Sequence, residues 1–326
     1  MLHFEVIMQF ALRRPRKLTL LSFCLVLQLF CASSFANGSK NVLFIVSKDT
    51  ADYIKIVDLI KDDLDQKRQK IEFNTVQKDV GDRVDKAMEK ADLIVTLGSG
   101  AAEIAVAKKT GKRLVASLIT ESAFIALAEQ HYGSTSKALA SGISVIVLDQ
   151  PLQRRIELAS ILLPKSKNVG LMLGPSTQSK QAQFGRTLKN AGMTPHIFTI
   201  GPSDNPIHKI DPVMKGSDVF IPIADSHLLN VTTAKWILQL SYRYRVAVIG
   251  YSANYVNAGA LASVFSSPED VARQTSEVIQ ALYKGGAEYQ LYPPKYCTVK
   301  FNKTVAWHLG LQVDKGLSKY QDQCGL

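Results

Sequence analysis

From residue 41 onward, short runs of β-branched and aliphatic residues alternate with longer stretches in which apolar residues recur every three or four positions. The run at 41–47 predicts a strand, and the stretch 51–69 predicts an amphipathic helix. The later strands predicted in this half of the chain are 71–77, 91–97, 113–120 and 141–149. Such alternation is typical of a parallel sheet covered by helices on both faces. This half is therefore predicted to form one Rossmann-like lobe.

The same alternation begins again after residue 149. A helix predicted at 150–163 is followed by further strands at 168–173, 195–200, 218–222, 246–251 and 258–265. Ser-Pro-Glu-Asp at 267–270 then opens a helix, with the serine as cap and the proline at the first helical position. We assign this helix back to the first lobe and the strand at 296–301 to the second.

The predicted fold class is α/β, with two Rossmann-like three-layer lobes joined by a three-crossing hinge. The first lobe is expected to comprise residues 37–149 plus 253–287, and the second 150–252 plus 288–326. Lobes linked by short crossings can close on a ligand held between them. The pattern therefore predicts a binding site in the cleft.

The first 36 residues have the features of a cleavable signal peptide. A basic cluster at 13–17 precedes the apolar run 18–30, and small residues at Ser34 and Ala36 supply a cleavage pattern. Translation starts at either Met1 or Met8. Lipidation at Cys31 is the alternative, but a bulky Phe30 stands where a lipidation motif needs a small residue. We expect a soluble protein in the periplasm.

Composition narrows the class of protein. Among 326 residues, 46% are hydrophobic and 21% charged, which excludes disordered, collagen-like and disulfide-dense chains. The net charge of +11 is scattered without a basic run, so we expect no nucleic-acid binding. After processing, Cys297 and Cys324 remain, either as one disulfide or as two free thiols. No cysteine or histidine spacing suits a metal, so no metal site is predicted.

Several ordered motifs resemble one known family. They are the glycine- and alanine-rich segment 250–263, the helix start at 267–270, Ala-Leu-Tyr-Lys-Gly at 281–285 and the segment 299–311 that ends in Leu-Gly-Leu. Together they resemble the ABC-transporter substrate-binding proteins of the aromatic-amino-acid (tryptophan/tyrosine) type. The resemblance implies the type I periplasmic-binding-protein fold, a small amino-acid-like ligand, an inner-membrane ABC permease as partner and no cofactor. Residues 116–122 depart from the family pattern, so a different ligand, including a cationic one, stays open.

Two candidate sites face each other across the predicted cleft. The turn that contains Ser99, Gly100 and Ala101 joins a strand to a helix, so its free backbone N–H groups can hold a carboxylate. Ser99 can instead serve only as a helix cap. Asp225, at an acidic position of the family, follows a strand of the second lobe and is expected to bind a ligand ammonium, unless it or Ser226 caps the next helix.

Other candidates lie at the ends of neighbouring strands. Thr120 and Glu121 end the fourth strand, where they either face the cleft or belong to a solvated loop. Tyr251 either stacks on an apolar ligand group or packs in the hinge, and Ser252 follows it. The predicted ligand-binding set is therefore Ser99, Gly100, Ala101, Thr120, Glu121, Asp225, Ser226, Tyr251 and Ser252.

For the residues at the first crossing and for the histidines, the sequence supports less specific predictions. Asp149 and Gln150 either hydrogen-bond within the hinge or contact the ligand, and His227 is the one histidine placed to tune binding with pH. The chain has neither a Gly-x-Ser-x-Gly elbow nor a phosphate-binding loop, so catalysis is not expected. We predict a monomeric periplasmic solute-binding protein of an ABC uptake transporter. A sensor that signals to a membrane receptor, or a periplasmic enzyme on the same scaffold, is the alternative.

Overall fold

The computed structural model describes residues 40–66, 71–77, 81–228, 230–285, 288–311 and 316–325. The predicted signal peptide lies outside the described residues. The strands are β1 (Lys40–Val46), β2 (Ile71–Gln77), β3 (Leu93–Leu97), β4 (Arg113–Ile119), β5 (Ile143–Val147), β6 (Asn168–Leu173), β7 (Thr194–Thr199), β8 (Val219–Phe220), β9 (Ala247–Gly250), β10 (Ala262–Phe265), β11 (Leu291–Tyr292) and β12 (Thr298–Phe301).

Helices lie between most of these strands. They are α1 (Ala51–Gln66), α2 (Gly81–Lys90), α3 (Ser99–Lys108), α4 (Glu121–Tyr132), α5 (Thr135–Ala140), α6 (Leu152–Leu162), α7 (Gln181–Asn190), α8 (Ile207–Lys215), α9 (Val231–Tyr244), α10 (Ala253–Asn257), α11 (Pro268–Tyr283), α12 (Lys303–His308) and α13 (Gly316–Gly325). A short 3₁₀ turn, Gln178–Lys180, precedes α7. No helix among the described residues is long and apolar enough to cross a membrane.

The strands form two six-stranded sheets, one in each lobe. Their orders are β11-β5-β4-β3-β1-β2 and β12-β10-β9-β8-β6-β7. Among the described strands every pairing is parallel except that of β10 with β12, which is antiparallel. The predicted two-lobed α/β fold is therefore confirmed.

The inner strands of each sheet are buried on both faces, which explains why they are largely apolar in the sequence. In β1, Leu43 and Ile45 join the hydrophobic cluster on one face, while Phe44 joins the cluster on the other. The second sheet is likewise packed between two clusters. This is the arrangement of a parallel sheet between two helical layers, in which alternation of apolar and polar residues is lost.

Two short segments lie on the other side of the predicted lobe boundaries. Strand β10 pairs with β9 and β12, so the segment 253–265 belongs to the second lobe and not the first. Strand β11 pairs with β5, so residues 291–292 belong to the first lobe and not the second. The apolar pattern shows that a strand is present, but its neighbours are set by pairing with distant residues. The crossings accordingly lie between β5 and α6, between β10 and α11, and between β11 and β12.

The two cysteines of the second lobe form a disulfide, so of the two alternatives left open by the sequence, a disulfide or two free thiols, the first is found. Cys297 and Cys324 are bonded, and the backbone N–H of Cys297 donates to the carbonyl of Cys324 at 2.9 Å. The bond attaches α13 to the start of β12, close to the third crossing.

Candidate functional site

A cavity of about 840 Å³ lies between the lobes at the carboxyl ends of their strands. The first lobe contributes residues that follow β4 and β5, and the second lobe contributes residues that follow β6, β8 and β9. Crevices at this edge of parallel sheets are the usual ligand sites of such folds. The volume falls within the range of about 300–1,000 Å³ that is typical of small-molecule sites.

The end of β4 has an irregular backbone where it reaches the cavity. Its register against β5 shifts between Ala116 and Ile119, and Leu118 has a φ of 57°. A positive φ is rare for a leucine, and such strain is commonly retained at functional sites. The bulge lies in the segment that departs from the family pattern, and it places Leu118 and Thr120 on the cavity wall. Thr120 also caps α4 by accepting a hydrogen bond from Ala123 N–H at 3.3 Å.

An ion pair joins the two lobes across the cavity. Glu121, at the start of α4 in the first lobe, contacts Lys180 of the second lobe with Oε2 and Nζ 2.5 Å apart. Both side chains are about one-third exposed or less, at 34% and 26%. Of the two alternatives left open for Glu121, a cleft-facing residue or part of a solvated loop, the structure has the first, and Glu121 is the partner of a lysine from the opposite wall.

Arg155 is a cavity residue that the sequence analysis missed. It lies in the first turn of α6, is only 6% exposed, and donates from Nη1 to the carbonyl of Pro222 at 2.6 Å. Its Nε–H is buried and has no acceptor among the residues that the structure describes. Burial lowers the pKa of the guanidinium to about 10, although Asp149 and Tyr251 oppose that shift. Arg155 is therefore a buried cation at neutral pH.

A sequence signal for Arg155 was present. The apolar face of α6 includes Leu152, Ile156 and Ala159, and Arg155 is three residues after the first and four before the last. A charge within that face has to be buried when the helix packs. A buried charge without an opposite charge in contact with it is costly, so it points to a binding role.

Asp149, at the first crossing, also lines the cavity. Its Oδ2 accepts a hydrogen bond from Glu121 N–H at 2.7 Å. Burial raises the pKa of this carboxyl, while the Glu121 N–H and the positive charges of Lys180 and Arg155 partly oppose the rise. The cavity therefore contains a partly desolvated carboxylate near a buried guanidinium.

Tyr251 and Ser252 lie on the second-lobe wall, as the sequence suggested. The ring of Tyr251 contacts that of Tyr255 edge to face at a centroid distance of 4.9 Å. Burial raises the pKa of both phenols, so both are neutral and can donate hydrogen bonds. Ser252 Oγ accepts from Tyr255 N–H at 3.4 Å and so caps α10. Gly250 permits this packing, because a Cβ there would be 2.6 Å from Tyr255 Cβ.

The expectation that Asp225 binds a ligand ammonium is not supported. Asp225 is fully buried, and its Oδ2 accepts bonds from Ser176 N–H at 3.1 Å, Ser176 Oγ at 2.7 Å and Thr177 Oγ1 at 2.9 Å. Its Oδ1 accepts from His227 N–H at 2.9 Å. These contacts bind the loop after β6 to the loop after β8. Neither Asp225 nor the exposed Ser226 lines the cavity.

The glycine turn before α3 also lies outside the cavity wall. Ser99 is exposed, and the N–H of Ala101 donates to Ser47 Oγ of its own lobe at 2.8 Å. Gly98 has a φ of 92°, and a Cβ there would lie 2.6 Å from Ser47 Oγ. The turn is thus closed by contacts within the first lobe. Ser99, Gly100 and Ala101 are not among the residues that line the cavity.

Gln150 joins the three crossings of the hinge, which is one of the two roles expected for it, and it also lines the cavity, where the other role, ligand contact, stays a prediction. Its Nε2 donates to Ser266 Oγ at 2.9 Å and to the carbonyl of Tyr296 at 3.1 Å. Arg154 donates to Gln150 Oε1 at 2.6 Å and to the carbonyl of Pro294 at 2.9 Å. His227 contacts the carbonyl of Asp204 through Nε2 and does not line the cavity.

The family model described as ABC transporter substrate binding protein matches residues 39–324. The chain belongs to this family. The family is one of substrate-binding proteins and not of enzymes, and membership implies a small-molecule ligand and a transporter as partner. In the described part of the chain, no cluster of histidine, cysteine and acidic residues could hold a metal ion.

Solved structures of bacterial proteins share the fold of this substrate-binding protein. A ligand-free, open substrate-binding protein with adhesive properties from Clostridium difficile is 15% identical, with a TM-score of 0.63 over 85% of this chain and 96% of that one. A conserved domain protein from Vibrio cholerae is 17% identical, with a TM-score of 0.58 over 87% and 98%. An ABC domain from Streptococcus pneumonia, solved with L-Trp, is 16% identical, with a TM-score of 0.58 over 87% and 99%. Among curated proteins none matches the chain in sequence.

Proposed function

We propose that this protein is the periplasmic solute-binding component of an ABC uptake transporter and that it binds an amino acid or a closely related small molecule between its lobes. The cavity between two hinged lobes carries the proposal, since it combines apolar walls with a few buried polar groups. That combination is typical of small-molecule sites. The fold neighbour solved with L-Trp supports an amino acid as the first class to test.

Ligand binding would bring the two walls together around the hinge. The Glu121–Lys180 pair already spans the cavity, and Gln150 connects all three crossings. Closure changes the shape of the protein, and a closed form that differs from the open one is what a permease can distinguish.

A thermal-shift screen tests the binding function. The purified protein is heated with the twenty amino acids, small carboxylates, monosaccharides, nucleosides and polyamines. A ligand of the folded state raises the melting temperature, by an amount that grows with its concentration relative to Kd. Positive compounds are then titrated by calorimetry, and small-angle scattering should show a smaller radius of gyration with ligand. A screen without any positive compound contradicts the proposal.

A matched pair of tyrosine variants locates the site. Tyr251→Ala removes a cavity-lining ring and should weaken binding, while Tyr242→Ala removes an exposed ring on α9 and should not. Equal effects of the two substitutions would place the ligand elsewhere. Loss of labelled-ligand uptake in cells that lack the protein, restored by the intact gene, tests the transport role.

A further inference from the structure

The charges that face the cavity point to the kind of ligand it selects. Within the described residues, the charged side chains that line it are those of Glu121, Asp149, Arg155 and Lys180. Glu121 and Lys180 neutralise each other in the interlobe pair. Asp149 and Arg155 attract each other, but no ion pair within 4.0 Å joins them in the described structure. One acid and one base therefore remain for a ligand.

Arg155 has donors left for an anion. A guanidinium carries five N–H groups, and within the described residues this one makes a single hydrogen bond, from Nη1 to Pro222. Its Nε–H finds no acceptor in the described part of the chain, although Arg155 is only 6% exposed. A carboxylate that binds the Nε–Nη2 edge in bidentate fashion would satisfy the Nε–H and compensate the buried charge.

Asp149 has acceptor capacity left for a cation. A carboxylate can accept about four hydrogen bonds. In the described structure Asp149 accepts one, on Oδ2 from Glu121 N–H. A ligand ammonium beside Asp149 would supply the missing donors and the opposite charge.

The rest of the wall favours an apolar ligand body. Leu118, Phe184, Ile223, Phe265 and Leu291 line the cavity together with the ring of Tyr251. A sugar would leave this surface in contact with polar groups and would leave Arg155 without a counter-charge. A polyamine would place a second positive charge near Arg155, which opposes binding.

Resting on the proposed function, we propose that Arg155 and Asp149 are the specificity-determining residues of this cavity. Arg155 binds the anionic group and Asp149 the cationic group of one ligand, whose apolar remainder lies against the hydrophobic wall. The assignment moves charge recognition from Asp225 and the glycine turn to the hinge end of the cleft.

Three probes with one apolar body separate the two roles. L-tryptophan carries both charged groups, indole-3-propionate lacks the ammonium and tryptamine lacks the carboxylate. Calorimetry with the intact protein should show L-tryptophan bound at least about tenfold more tightly than either analogue. L-leucine, 4-methylpentanoate and isopentylamine form a second set with a smaller body.

Single substitutions should then change the relative affinities of the three probes. Arg155→Met should weaken binding of the two probes that carry a carboxylate about 100-fold, since a lost buried charge contact typically costs that much or more. The amine should not be weakened and should bind somewhat more tightly, because the like charge of Arg155 is removed. Asp149→Asn should weaken the zwitterion and the amine, and not the carboxylic acid. Arg186→Met removes an exposed arginine that does not line the cavity, and should change no affinity.

Stability measurements distinguish charge recognition from a structural role. If Arg155 serves the ligand, Arg155→Met removes a poorly compensated buried charge and should not lower the melting temperature of the ligand-free protein. If that variant fails to fold, Arg155→Lys keeps the charge without the planar fork and should still weaken the carboxylates selectively.

Two results would overturn the assignment. Equal losses for all three probes in Arg155→Met would make the arginine structural, and a wild-type protein that binds neither probe set would exclude an apolar zwitterion. The second result leaves the proposed solute-binding function to be judged by the broad ligand screen, which includes sugars, nucleosides and polyamines.

Discussion

Removal of the Asp225 carboxylate should destabilise the protein without changing its ligand specificity. The side chain is fully buried and accepts four hydrogen bonds, two from the backbone N–H groups of Ser176 and His227 and two from the hydroxyls of Ser176 and Thr177. Asp225→Ala deletes every one of these acceptors. The hydroxyls can rotate toward other partners, but the two N–H groups are fixed by the backbone.

The expected loss of stability can be worked out from these four hydrogen bonds. Hydrogen bonds to a charged group contribute about 1.5–3 kcal/mol each. With two fixed donors lost and the hydroxyls partly compensated, Asp225→Ala should lower the free energy of unfolding by about 3–4 kcal/mol. In Asp225→Asn the amide oxygen can still accept from His227 N–H, but the amide NH2 then faces Ser176 N–H and cannot accept from it. An intermediate loss of stability is therefore expected.

Urea unfolding followed by circular dichroism measures the free energy, and calorimetry with the ligand found by screening measures Kd. Ser226→Ala is the matched control, because Ser226 is the exposed neighbour of Asp225. A wild-type urea midpoint for Asp225→Ala, combined with a loss of ligand affinity, would contradict this expectation. That outcome would make Asp225 a ligand residue.

Three further outcomes are expected. Cys324→Ala opens the Cys297–Cys324 link, whose sequence separation is 27 residues, so chain entropy predicts a loss of about 3.5 kcal/mol in urea unfolding; an unchanged midpoint would contradict it. Lys180→Met removes the partly exposed pair with Glu121, worth about 1 kcal/mol, and should speed ligand release about fivefold in stopped flow at low salt, with the difference shrinking in high salt. Burial raises the pKa of Asp149 in the folded protein, so the ionised carboxylate destabilises the folded state. Stability from this group is present below the unfolded-state pKa near 3.8 and is lost as pH rises through the folded-state pKa. Asp149→Asn should therefore raise the melting temperature at pH 7 but not at pH 3. Equal changes in melting temperature at pH 3 and pH 7 would contradict a raised pKa of Asp149.

The sequence by itself determined the class of fold and most of its elements. Buried parallel strands are mostly apolar and do not alternate with polar residues, so β1, β3 and β5 are recognisable without any knowledge of their neighbours. Local chemistry also fixed the start of α11, where Ser267 and Asp270 form the predicted cap by exchanging hydrogen bonds. These features depend on residues within one turn or one strand.

Only the tertiary structure decided which strands are neighbours and which polar residues face the cavity. Strand β10 pairs with β9 and β12, and no local signal distinguishes these partners from the strands of the other sheet. Asp225 follows a strand, as a ligand residue would, but its partners Ser176 and Thr177 lie 49 and 48 residues earlier. Arg155 bonds to a carbonyl 67 residues away. Roles of this kind depend on groups that folding brings together from distant parts of the chain, so a reading of adjacent residues cannot assign them.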